Sequence, residues 1–302
     1  MIHVVGNAAI DTVIRVDHLP QRGETIVALG AADDLGGKGA NQAIVIARCE
    51  CDVRLVASVG DDLAGERIRR NLAAEGVRID GLRIWTGRTD RCVICVDRDG
   101  ENTIVSVVDA ASSFDPIGAD CIGRRVAPGD WMILQGNLRA SVTRACLALA
   151  KEKGALTALN PSPVYLAAEY DWSLVDLVVL NSGEAVALGG CPDPIEAARA
   201  LLAAGAESVV VTLGAEGAML LSGRDTMRVR AAVTAAVDTT GAGDVFCGAL
   251  IASRAAGRRW REALIVAAEA AAICVARAGV LASFPTREEL AAVFRRPIPE
   301  PA

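Results

Sequence analysis

Short runs of apolar residues recur along the chain, separated by longer stretches whose apolar positions return every three or four residues. "IHVVG" (2–6), "RLVASVG" (54–60), "WMILQG" (131–136), "ALTALNP" (155–161), "LVVLN" (177–181) and "SVVVTLG" (208–214) read as strands that are apolar on both faces. Between them, "GANQAIVIARC" (39–49), "AGERIRRNLAAEG" (64–76, ended by Gly76), "SVTRACLALAKEKG" (141–154) and "DPIEAARALLAAGA" (193–206) carry the helical period. Strands alternating with helices, and apolar throughout, predict an α/β fold with a mostly parallel central sheet covered on both faces, a three-layer α/β/α domain. "AMLLSG" (218–223) and "MRVRAAV" (227–233) predict an antiparallel pair at a sheet edge. Three helices are expected after them: one following "DTTGAGD" (238–244), then 260–279 and 286–296.

Two segments, approximately 11–35 and 88–112, break this rhythm with extended, partly polar sequence. Within the second, "RCVICVDRDGENTIVSVVD" (91–109) alternates on both sides of an Asp-Gly turn, the pattern of a β-hairpin. Together they predict a small β-sheet lid on one domain that spans 1–302.

Composition narrows the function classes. Of the 302 residues 52% are hydrophobic but only 3% aromatic, so the core is built from Ala, Val, Leu and Ile. A net charge of −6 with no lysine or arginine run argues against nonspecific nucleic-acid binding. "MIHVVGNAAID" lacks a basic region before a long apolar stretch, and no apolar window reaches the ~18 residues of a membrane span. The nine cysteines are odd in number and sit mostly in apolar runs. Cys92 and Cys95, three apart on a strand, point to opposite faces. Buried reduced thiols are expected, in a cytoplasmic protein with no membrane partner. The two histidines, His3 and His18, have no zinc-ligand spacing, and no structural metal is expected.

The chemistry concentrates in two glycine-rich stretches. "DTTGAGD" opens a helix, and its Gly241, Ala242 and Gly243 have no bulk to keep a ligand from the N–H groups of the helix start. Those groups and the helix dipole make an anion site suited to phosphate. Asp244 at the same helix start is either a cap or a base beside a phosphate about to be transferred. "GGKGANQA" (36–43) is a second glycine-rich helix start, with Lys38 and Asn41 as polar handles. It is not a Walker A loop, because no Ser or Thr follows the lysine.

These two stretches, in this order, resemble the signatures of the ribokinase family, the PfkB-type carbohydrate kinases. The likeness extends through "LPQRGET" (19–25) at the start of the lid, "VVLNSGEA" (178–185) and "VTLGAEG" (211–217). The resemblance implies a ribokinase-like fold and an ATP-dependent phosphotransferase acting on a primary hydroxyl of a sugar or sugar derivative. It implies Asp244 as general base, with Gly241, Ala242 and Gly243 as the anion hole for the γ-phosphate. Asp11, Gly37, Lys38, Asn41 and Asn137 would face the acceptor. Asn181, Glu184, Thr212 and Gly214 would serve ATP, with Glu184 organising Mg²⁺ through water. A monovalent cation such as K⁺ would sit among Asp238, the Thr240 carbonyl and groups near Arg277, Gly279 and Ser283. A homodimer through the lid is expected, since an exposed strand edge needs covering.

Two positions depart from the family pattern. Ala9 stands where similar ribokinases carry asparagine, and Asn137 where they carry glutamate; both residues usually contact the sugar. Losing one such hydrogen bond costs ~1–3 kcal/mol, so these positions bear on which sugar is accepted. Ala9 also leaves room for a nucleoside, the alternative acceptor. A nicotinamide oxidoreductase fits less well, because "VVGNAA" lacks the G-x-G-x-x-G spacing. A ligand-binding regulator on the same fold would not need Asp244 and the anion hole together.

Overall fold

Strand β1 (Ile2–Val5) is buried along its whole length and lies inside the large sheet, with neighbours on both sides. The computed structural model describes residues 1–98, 101–164 and 170–296. In it β1 pairs in parallel with β4 (Val53–Gly60) on one side and β8 (Trp131–Gln135) on the other. From β8 the sheet continues through β9 (Leu156–Asn160), β10 (Leu177–Asn181) and β11 (Ser208–Thr212), all parallel. β12 (Ala218–Ser222) and β13 (Asp225–Val229) then add an antiparallel edge, as the sequence predicts.

Alternate side chains feed two apolar layers. Val4, Leu55 and Ile133 pack with helices α1 (Lys38–Arg48), α2 (Leu63–Ala74), α7 (Ala242–Ala255), α8 (Trp260–Val275) and α9 (Arg287–Arg295). Val5, Val56 and Leu134 face the opposite layer, where α3 (Asp109–Ser113), α4 (Ala140–Glu152), α5 (Ser182–Gly189) and α6 (Pro194–Ala203) contribute. On the first face α1 and α7 nearly touch: a Cβ built on Gly248 of α7 would lie 2.8 Å from the Val45 Cβ of α1. That close approach brings the amino-terminal turns of the two helices side by side.

The lid is a separate four-stranded sheet in the order β3-β2-β6-β7. β2 (Ala9–Arg15) runs antiparallel to β3 (Gly30–Gly36) and parallel to β6 (Arg91–Val96), which pairs antiparallel with β7 (Asn102–Val107). The predicted Asp-Gly turn at 99–100 lies outside the described residues.

Three expectations need correction. A further strand, β5 (Arg78–Trp85), pairs with β4 and closes the other edge of the large sheet. The last predicted strand ends at Val229, and Ala231–Val233 belong to a loop that follows it. All nine cysteines are free, but Cys49, Cys51, Cys92, Cys95 and Cys191 are half-buried: Cys49 ends α1, Cys51 and Cys191 lie in loops, and Cys92 and Cys95 are in the lid. Among the described residues no helix is long and apolar enough to cross a membrane.

Candidate active site

In a parallel sheet the carboxyl ends of the strands collect the polar groups that helices on either face cannot cover. Here β8 ends on Gln135, β9 on Asn160, β10 on Asn181 and β11 on Thr212, while Asn7 follows β1. The N-termini of α1 and α7 meet at this edge, and Asp244 sits between them with 5% exposure.

Asp244 does not cap α7. The N-cap is Gly241, in the left-handed region at φ 79°, and no side chain caps the helix. A Cβ at Gly241 would also lie 2.6 Å from the Phe284 ring, so both backbone and packing require glycine there. The Ala242 N–H makes only a long bond to the Thr239 carbonyl, 3.3 Å, and Gly243 has nothing within 4 Å of where a Cβ would stand. The helix start is therefore an uncrowded anion cradle.

The Asp244 carboxylate is held from α1 instead. Asn41 Nδ2 donates to its Oδ2 at 2.9 Å, and Gln42 Nε2 donates to its Oδ1 at 3.0 Å. Lys38 Nζ stands 3.9 Å from Oδ1. Gln42, fully buried, also donates to Asn160 Oδ1 at 3.1 Å and accepts from Gln135 Nε2 at 2.8 Å. Asn160 in turn donates to the Val179 carbonyl at 2.9 Å. The sequence reading missed Gln42, Gln135 and Asn160. For Gln135 and Asn160 the available signal was the amide that closes each apolar strand; Gln42, on α1, had none. Replacing Gln42 by Leu removes one donor to Asp244 and strands two buried partners, each at ~1–3 kcal/mol. We expect Gln42→Leu to lower kcat by about 10- to 100-fold and to lower Tm, read by a coupled ADP assay and a thermal melt.

Asp11, on β2, is the second buried carboxyl of the site. Burial pushes its pKa up to about 6, and the neighbouring charges of Asp244 and Asp34 add to this. The Cys92 thiol and Lys38 pull the other way. Among the described residues, four buried acceptor oxygens in this region have no donor: Asp11 Oδ1, Asn41 Oδ1, Gln135 Oε1 and Asn137 Oδ1. A polyhydroxyl compound would supply such donors, and an anionic one would meet Asp11 and Asp244. Gly37, the N-cap of α1 at φ 91°, completes this side.

The other predicted residues fall in two places. Thr212 and Gly214 line a cavity of about 460 Å³ that reaches Ala242 and Gly243. Its remaining wall is mainly small and apolar, including Ala231, Val233, Ala268 and Ala272. Asn181 and Glu184 form a capping box on α5: Asn181 Oδ1 accepts from the Glu184 N–H at 2.8 Å, and Glu184 Oε2 accepts from the Asn181 N–H at 2.9 Å. Behind the anion cradle, Asp238 accepts from the N–H groups of Thr240 (2.9 Å) and Gly279 (3.0 Å). Although burial opposes it, these bonds hold Asp238 below the usual carboxylate range. The Thr240 carbonyl faces the Cys274 thiol at 3.7 Å, and the Ser283 hydroxyl donates to the Val280 carbonyl at 2.7 Å. The Arg277 guanidinium pairs with Glu289, so its side chain is engaged in an ion pair beside the predicted cation position.

Known proteins share this sequence pattern and this fold. The pattern of the pfkB family carbohydrate kinases matches residues 1–287. The ribokinase of Haemophilus influenzae is 30% identical over 292 residues, covering 95% of this chain and 95% of that protein. The crystal structure of ribokinase from Thermotoga maritima superposes with a TM-score of 0.88 at 30% identity, over 98% of this chain and 99% of that one. Arabidopsis thaliana ribokinase, solved with ribose and ATP, superposes with a TM-score of 0.87 at 27% identity, over 98% and 99% of the two chains.

Proposed function

The chain belongs to the pfkB family of carbohydrate kinases, and we propose that it moves the γ-phosphoryl group of ATP to the primary hydroxyl of a neutral sugar, with Asp244 as general base. The observation that carries this reading is the position of Asp244. It stands at an uncapped helix start, between an apolar cavity and a cluster of unpaired buried acceptors, and both its oxygens are oriented by α1.

In this reading the base of ATP lies in the cavity and its terminal phosphate lies on the N–H groups of Gly241 to Gly243. The acceptor lies against Asp11, Asn41 and Asn137, its primary hydroxyl toward Asp244. Asp244 takes the hydroxyl proton as the oxygen attacks phosphorus in line, and the ADP oxygen leaves from the opposite side. Lys38 and the anion cradle offset the charge on the transferring group. The lid excludes water, which suppresses ATP hydrolysis.

Two ions fit the residues present. Glu184, with one oxygen outside the capping box, and Asn181 suit a Mg²⁺ that keeps its waters and is held mainly by phosphates. Asp238, held ionised, and the Thr240 carbonyl suit a monovalent cation such as K⁺. When bound, these ions would neutralise phosphate charge and stiffen the anion cradle.

The test is ADP release with MgATP over D-ribose, 2-deoxy-D-ribose, D-fructose and adenosine, with and without K⁺. Turnover on at least one sugar and stimulation by K⁺ are expected. Turnover on adenosine alone would favour the nucleoside reading that Ala9 permits, and silence from folded, ATP-binding protein would refute both.

We also propose a homodimer through the lid. The apolar side chains Val105 and Val107 of edge strand β7 are 62% and 51% exposed. Sedimentation should give a dimer that Val105→Asp converts to a monomer. A wild-type monomer would rule the dimer out.

A further inference from the structure

Asp34 takes no part in the chemistry just described, yet it joins the two halves of the site. In the lid it is the direct cross-strand partner of Asp11, because β2 and β3 pair Asp11 with Asp34. Like charges directly opposite on a sheet destabilise it, so this pairing calls for a compensating role. Asp34 Oδ1 accepts from the Leu35 N–H at 2.8 Å. Its Oδ2 leaves the lid and accepts from the Leu281 N–H at 3.1 Å.

Leu281 opens the short 3-10 turn Leu281–Ser283, and this turn and its flanks grip the anion cradle from two directions. Phe284, directly after it, lays its ring against Gly241, where a Cβ would stand 2.6 Å from the ring. Gly279, just before it, donates to Asp238 Oδ2, while Asp238 Oδ1 holds the Thr240 N–H. One register position of the lid therefore carries two carboxylates. Asp11 faces the acceptor, and Asp34 holds the turn that packs against the phosphate cradle.

We propose that Asp34 is a positioning residue that latches the lid to the anion cradle, so that capture of the acceptor at Asp11 also fixes the backbone of Gly241 to Gly243. This rests on the kinase reading above. It explains how the cradle is completed when an acceptor is present, which favours transfer to the acceptor over transfer to water.

Two measurements test it, using whichever of the four acceptors the wild type turns over fastest. In hydrogen exchange on wild type, adding that acceptor without nucleotide should protect amides of 238–243 and 279–284 as well as those around Asp11. In Asp34→Ala the first two segments should lose this response. Its kcat should fall about tenfold with the Kd for ATP unchanged, while Asp34→Asn, which keeps an oxygen for the Leu281 N–H, should recover most of the loss. A wild-type protein whose 279–284 segment ignores the acceptor would overturn the latch, with no variant required. So would an Asp34→Ala enzyme with wild-type kcat, or a loss that the Asn variant does not recover. Absence of turnover in wild type would instead count against the kinase reading itself.

Discussion

Asp244→Asn is expected to lose about 10³-fold or more in kcat while binding ATP as tightly as wild type. The substitution is nearly isosteric, but the amide cannot accept the hydroxyl proton. It also places an NH₂ group where Asn41 Nδ2 or Gln42 Nε2 now donates, at 2.9 and 3.0 Å. The cavity proposed for the nucleotide is lined by Thr212, Gly214 and mainly small apolar residues and does not include the carboxylate, so ATP affinity should survive. Steady-state kinetics and calorimetric titration with ATP check the two halves. An Asn variant with near-wild-type turnover would remove the general base from the mechanism.

Asp11 should give the second large effect, on the acceptor that it is proposed to face. Its pKa of about 6 lies above the ordinary carboxylate value because of burial, with Asp244 and Asp34 adding to the shift. If the carboxylate is the form that accepts the sugar hydroxyls, kcat/KM for the acceptor falls as pH drops through about 6, approaching tenfold per pH unit below it. Stability moves in the opposite sense. The folded-state pKa is raised, so the stabilising contribution of this group is complete below its unfolded pKa and is lost as pH rises through about 6. Between pH 5 and 7 Asp11 should therefore add activity and subtract stability (about one pH unit either side of the value given above). Asp11→Asn should flatten both trends and lower kcat/KM by about 10- to 100-fold, the worth of a charged hydrogen bond. A profile whose acidic limb is unchanged in the variant would assign that limb to another group.

The parallel core was legible because strands buried on both faces are continuous apolar runs, and little else in a chain looks like that. β5 was not. It is an edge strand with three of its eight residues exposed and only Gly81 buried, and its register shifts against β4 between Arg78 and Gly81. α5 was hidden by its own chemistry, since "NSGE" reads as a nucleotide motif, while in the structure the same residues close a capping box. At the site, Asp244, Asn41 and Lys38 announced themselves through glycine-rich helix starts. Gln42 did not, because one amide on an apolar helix face looks like an ordinary core polar residue. Its partners Gln135 and Asn160 are paired by the register of β8 and β9, and only the packing of α1 on the sheet brings Gln42 to them. Asp34 was invisible for the same reason, its meaning depending on a turn near the other end of the chain.

The most direct measurement is phosphorus and proton NMR of the product made from MgATP and the best acceptor of the panel. One phosphate ester per ADP is expected, on the primary carbon of the sugar, with inorganic phosphate near background. Inorganic phosphate as the main product, or an ester on a secondary hydroxyl, would contradict it.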